Sequence, residues 1–197
     1  MKRMLLICTV FCAVLVTGLG SAVANEWRLP VGLTYISGIG DIIDQYEDNL
    51  RADGYITDSV EGLPFGISFQ PYYEFDSGLG IGVGVGPVML IYGDIDFLNL
   101  PVNVCLRYAL MPKSNASVYF RGGLSYNLDS GDYVEDSQAG LIGAVGIEFM
   151  RHKPVGFGIE FGYDGSTIEL EDRTTLNPDD TKEYEPVGFM ASVFAVF

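Results

Sequence analysis

Histidine occurs once, at His152, and basic residues are scarce: 11 lysines and arginines stand against 26 aspartates and glutamates, a formal charge of −15. One histidine excludes a histidine-rich metal site. A serine-histidine-acid triad would need a serine and an acid within reach of that single ring, so enzymatic activity is not expected. The charge balance excludes nucleic acid as a partner, because its binding rests largely on positive charge. Cysteine is nearly absent from the body of the chain, since Cys8 and Cys12 lie in an amino-terminal leader and only Cys105 remains. No intramolecular disulfide can then form. With no second cysteine or histidine placed to activate it, Cys105 reads as a small core residue. Glycine is plentiful, but Gly80, Gly82, Gly84 and Gly86 fall inside a strand pattern and not between a strand and a helix, as a nucleotide loop requires. No cofactor is expected.

In the leader, Lys2 and Arg3 precede an apolar run over residues 4–16 and a small-residue stretch ending Ala22, Val23, Ala24. This basic, apolar, small-residue order predicts a cleaved secretory signal over residues 1–24, with the cut before Asn25. A single anchoring helix is the alternative, but the run is short of the roughly 20 residues a span needs. Residues 25–197 form one domain, and removal of the leader leaves nine basic against 26 acidic residues, a formal charge of −17.

That domain reads as eight strands. Trp27, Leu29, Val31, Leu33 and Tyr35 alternate with Arg28, Pro30, Gly32 and Thr34, the period of two that a strand imposes. Residues 65–75 continue the pattern, with Gly66, Ser68, Gln70, Tyr72 and Glu74 on the polar or small face. Residues 79–86 set Leu79, Ile81, Val83 and Val85 against four glycines that leave room for larger side chains opposite. Strands over residues 102–110, 117–126, 138–149 and 155–164 follow, and residues 186–197 close the series with Phe189, Ala191, Val193, Ala195 and Phe197 on one face. Segments of about ten residues, apolar outside and polar or small inside, are the signature of a transmembrane barrel. The fold class is therefore all-β, an eight-stranded antiparallel up-and-down transmembrane β-barrel. Closure is required because unpaired backbone groups in hydrocarbon cost several kcal/mol each, on the order of 2–7.

Connector lengths support this reading. Links near 76–78, 111–115 and 150–154 are short, and those near 39–62, 93–100, 128–137 and 165–185 are long, as turns on one rim and loops on the other would be. In the first long link, Ile39, Ile42, Ile43, Tyr46 and Leu50 have helical spacing, consistent with an amphipathic helix at the barrel mouth or an irregular loop with buried anchors. Pro87 lacks an N–H and predicts a bulge or an approach to the rim. Trp27, Tyr35, Tyr92, Tyr108, Tyr126, Tyr163 and Phe197 fall near strand ends, where amphipathic rings favour the head-group zone.

Glu74, Arg107, Arg121, Glu148 and Glu160 share the inward face. Enclosed charges need partners, so they predict an ion-pair network filling the barrel, with a narrow ion path as the alternative. The long links carry 20 acidic residues, including Asp41, Asp58, Glu61, Asp94, Asp96, Asp136, Glu169, Asp179 and Glu183, offset only by Arg51, Arg173 and Lys182. A solvated acidic rim accounts for them; the alternative is binding of divalent cations or a cationic surface partner, for which the spacing nominates no metal ligands. Lys113, Arg151, His152 and Lys153 lie in the short turns.

The leader, the run Tyr119-Phe120-Arg121-Gly122-Gly123-Leu124-Ser125-Tyr126 and the ending Val193-Phe194-Ala195-Val196-Phe197 resemble the small eight-stranded outer-membrane barrels of Gram-negative bacteria, including the OmpA-like transmembrane type. The resemblance implies residence in the cell outer membrane among its lipids and lipopolysaccharide, a periplasmic amino terminus and surface-exposed long loops. It also implies insertion by the barrel-assembly machinery, with Phe197 as the assembly signal. The separate periplasmic peptidoglycan-binding domain of the OmpA type is not seen, so cell-wall tethering is not expected. Function is then expected to be structural or surface-interacting and non-enzymatic, with a narrow channel or small-solute transporter as the alternative.

Overall fold

A computed structural model describes residues 26–54, 62–91, 97–175 and 180–197. The leader with its cut before Asn25, and Asp58, Glu61, Tyr92, Asp94, Asp96 and Asp179, lie outside these residues. The strands are β1 (Glu26–Arg28), β2 (Pro30–Ile36), β3 (Phe65–Phe69), β4 (Tyr72–Glu74), β5 (Leu79–Val85), β6 (Met89–Ile91), β7 (Phe97–Ala109), β8 (Ala116–Gly131), β9 (Val134–Gln138), β10 (Gly140–Phe149), β11 (Gly156–Asp164), β12 (Thr167–Glu171), β13 (Thr181–Tyr184) and β14 (Gly188–Val196). Among the described residues one helix, α1 (Ile39–Ala52), follows β2.

Eight antiparallel staves make the barrel. The first is β1 with β2, the second β3 with β4, the third β5 with β6, and the rest are β7, β8, β10, β11 and β14. Register from Met190↔Ile36 to Val196↔Pro30 joins the last stave to the first. Leu29 and Phe197 complete the seam, each N–H donating to the other's carbonyl at 2.9 and 3.2 Å. The pairing of β14 with β2 closes the ring, which meets the backbone requirement of a membrane sheet. Outward positions of the staves carry exposed Leu33, Ile67, Ile81, Leu106, Leu124, Phe161 and Val193, an apolar belt. Trp27, Tyr73 and Phe75 stack edge-to-face at the turn end, Tyr35 and Phe65 do so near the loop end, and Tyr163 and Phe189 meet there at a tilt.

Two features depart from the sequence reading. β7 begins at Phe97 and β8 runs to Gly131, in register from Phe97↔Gly131, so parts of the supposed links at 93–100 and 128–137 are one tall hairpin. Its upper part leaves the belt, and polar Asn99, Asp129 and Ser130 there blur the alternation. The links at 128–137 and 165–185 also hold β9, β12 and β13, which form a separate three-stranded sheet in the order β13-β12-β9. At Pro87 the expected bulge is present: Val85 pairs with Val102 and Met89 with Asn99, one residue more on the proline side than on β7, while the Gly86 N–H still donates to the Pro101 carbonyl at 2.8 Å. Pro87 packs over Gly66, where an added Cβ would stand 2.6 Å from the proline ring.

The helix is amphipathic. Its Ile42, Tyr46 and Leu50 pack with Ile168 and Leu170 of β12 and Phe97 of β7. Its first residue, Ile39, packs into a cluster with Ile36, Met89, Cys105, Ile142, Val187 and Met190 that fills the loop-end half of the barrel. The helix and the small sheet thus form one platform over the barrel mouth.

Candidate functional site

The turn-end half of the lumen is polar. Glu74 comes from β4, Arg107 from β7, Glu148 from the end of β10, and Arg151 from the turn after it. Arg107 Nη1 donates to Glu74 Oε2 at 3.0 Å, and its Nη2 lies 2.8 Å from Glu148 Oε1 as an ion pair off the line of a hydrogen bond. Arg151 Nη1 donates to Glu148 Oε2 at 3.1 Å, and Nη2 donates to Glu74 Oε1. Two carboxylates and two guanidiniums therefore close a four-membered ring in which each oxygen faces a different nitrogen. Such two-point pairing fixes geometry as well as charge. Tyr72 and Tyr119 sandwich the Arg107 guanidinium, their ring centroids 4.3 and 3.7 Å from its central carbon. Tyr72 also donates to Glu148 Oε1 at 2.9 Å.

One layer toward the loops, Arg121 donates from Nε and Nη2 to Glu160 at 3.2 and 2.6 Å, and Tyr119 donates to the same carboxylate at 2.8 Å. Arg121 Nη1 reaches Asn103 Oδ1 and Cys105 Sγ, both at 3.4 Å. Inward glycines make this possible. A Cβ on Gly146 would meet the Tyr119 hydroxyl at 2.4 Å, and one on Gly158 the Phe194 ring at 2.4 Å. The five charged residues nominated from sequence all lie buried in the lumen, and Arg151 joins them. Three carboxylates and three guanidiniums balance there. Between the two layers is a cavity of about 20 Å³ lined by Tyr72, Asn103, Arg107, Tyr119, Arg121 and Glu148, room for about one water.

Arg151 lies in the short turn where the sequence reading placed it, but its side chain is 0% exposed and enters the lumen, which that reading did not foresee. The available signal was its spacing, since Arg151 follows Glu148 by three. Its turn neighbour His152 does remain exposed, with Nε2 2.9 Å from the Lys113 carbonyl oxygen.

At the other end, buried polar groups lock the platform. Gln45 Oε1 accepts from Tyr184 at 2.6 Å and from Lys182 at 3.3 Å, and Asn49 donates to the Glu171 carbonyl at 2.7 Å. Asp172, held by the Lys182 ammonium at 2.8 Å and by Thr174, has its pKa lowered to about 2. Ile168 and Leu170 face the helix, so Glu169 points away from it, and the register Asp136↔Glu169↔Glu183 sets three carboxylates side by side across β9, β12 and β13. Gln138 and Thr167 donate to Glu169 and Glu183, both at 2.7 Å. Among the described residues no salt bridge reaches that row, and Arg173 is engaged by Glu171.

The outer membrane protein beta-barrel domain family matches residues 9–193 of the sequence. The chain belongs to this family. Its barrel sits in the outer membrane, and the belt described above is its lipid-facing surface. Among solved structures it is similar to the outer membrane protein OprG from Pseudomonas aeruginosa, at 11% identity and a TM-score of 0.54, over 90% of this chain and 96% of that one. It is also similar to Neisserial surface protein A, at 15% identity and a TM-score of 0.50, over 90% and 97% of the two chains. At such identities the likeness concerns the fold alone. No curated protein matches the sequence significantly.

Proposed function

We propose that this protein is a non-enzymatic outer-membrane component that is closed to solutes and works through its acidic platform, as a structural or surface-interaction protein with a cationic partner. The observation that carries the reading is the double closure of the lumen. The Glu74–Arg107–Glu148–Arg151 ring fills one end, α1 covers the other, and the polar space between the ion-pair layers has room for about one water. A barrel of eight strands has little interior to spare. Among the described residues no three metal-binding side chains converge on one position, so the partner proposed is a basic protein or peptide surface, met by Asp136, Glu169 and Glu183.

Planar-bilayer recording tests the closure. Folded protein is expected to be electrically silent. Reproducible conductance that changes with Arg121→Ala or Glu148→Ala would replace this reading with that of a narrow channel.

A further inference from the structure

The lipid-facing wall is not evenly clothed. Gly122 of β8 and Gly143 of β10 are direct cross-strand neighbours on the outward face, and Tyr163 of β11 is next to Gly143. On the turn side the following outward row runs Phe120, Val145, Phe161, Ala191, Tyr35; on the loop side stand Leu124 and Leu141. Two bare positions therefore lie between rows of large apolar side chains.

Neither glycine is needed by the fold. A Cβ on Gly143 would meet no atom within 4 Å, and one on Gly122 only the Ile142 carbonyl oxygen at 3.7 Å. Neither has a positive φ. Inward Gly123 is different, because a Cβ there would stand 2.0 Å from the Val104 carbonyl oxygen. Glycine inside a strand weakens it and often marks the close approach of another molecule. The bare wall at Gly143 opens into a groove of about 670 Å³ walled by Tyr35, Phe120, Val145, Phe161, Tyr163 and Phe189, a volume in the usual range of roughly 300–1,000 Å³ for small-molecule sites. No charged side chain lines it.

We propose that this groove seats one acyl chain of an outer-membrane lipid. It is continuous with the lipid-facing belt, and its upper wall is the aromatic girdle of Tyr35, Tyr163 and Phe189, where such rings mark the head-group level. A chain entering below the girdle lies along the wall and meets aromatic faces on both sides. A second copy of the protein fits less well. In a two-fold interface each partner would have to bring a ridge of its own outward face into the other's groove, whereas acyl chains already border this face.

The test uses protein reconstituted with a saturated-chain phosphatidylethanolamine and examined by native mass spectrometry under increasing collisional activation. The wild type is expected to keep one lipid after the rest are stripped. Gly143→Phe, which fills the groove, is expected to lose it, and Val104→Phe, an outward position on β7, to keep it. Heat-modifiable migration verifies that each variant has folded; if Gly143→Phe does not assemble, Ala191→Leu, at an outward position that also lines the groove, is expected to lose the lipid as well. Equal retention by wild type and groove variants overturns the proposal, as does a wild type that keeps no lipid. Efficient disulfide-linked dimers of Gly143→Cys in intact membranes would overturn it in favour of a second copy.

Discussion

At Met150 the backbone takes a φ of 59°, and the bend it introduces after β10 turns the next side chain, Arg151, back into the lumen. There it supplies half the positive charge of the Glu74–Arg107–Glu148–Arg151 ring. Removing one partner of a buried pair is far more costly than never having had the pair, because the remaining charge stays desolvated. Arg151→Ala leaves Glu74 and Glu148 to share Arg107 alone, and is expected to destabilise the barrel by about 3–5 kcal/mol. Arg151→Lys is expected to recover only part of this, since an ammonium is a point charge and cannot reproduce the two-point bridge. Urea unfolding in liposomes measures both; a loss in Arg151→Ala no larger than that of an ordinary surface substitution would contradict the ring's role. The other five lumen charges were legible in sequence because each lies on the inward parity of a strand. Arg151 follows a strand end, where alternation has nothing to say, and only its spacing from Glu148 pointed inward.

The elements outside the membrane were unequally legible. The helix shows its apolar stripe at Ile39, Ile42, Tyr46 and Leu50, all of which are buried. By contrast, β9, β12 and β13 are only four or five residues long, and β12 buries just Ile168 and Leu170 beneath a face of Thr167, Glu169 and Glu171. In sequence such strands look like acidic loop. Their register gives Glu169 a carboxylate neighbour on each side, an arrangement that like-charge repulsion disfavours by roughly 0.2–1 kcal/mol per pair. Glu169→Gln should therefore leave the platform as stable as before or slightly more so, by hydrogen exchange of residues 167–171. If the row serves a cationic partner, the Glu169→Gln, Glu183→Gln double variant should at the same time bind a lysine-rich peptide more weakly, with a shallower dependence on salt. Unchanged peptide affinity at low ionic strength would remove the row from the interaction.

Across the whole molecule, the seam that closes the barrel extends to Phe197, which exchanges two backbone hydrogen bonds with Leu29 while its ring points outward from the barrel. Backbone pairing and ring can be separated experimentally. Phe197→Ala keeps both hydrogen bonds and removes only an exposed side chain, a change that in the finished barrel should cost little, within roughly 0.5 kcal/mol for an ordinary surface position. We propose that the ring acts earlier, as the signal by which the assembly machinery takes hold of the closing strand. Two measurements on Phe197→Ala then diverge. Equilibrium unfolding of purified, refolded protein should be nearly unchanged, whereas the yield of assembled barrel in cells with limiting assembly machinery should fall and precursor should accumulate. A parallel loss in both would make Phe197 a stability residue, and an unchanged yield would leave the ring no part in assembly.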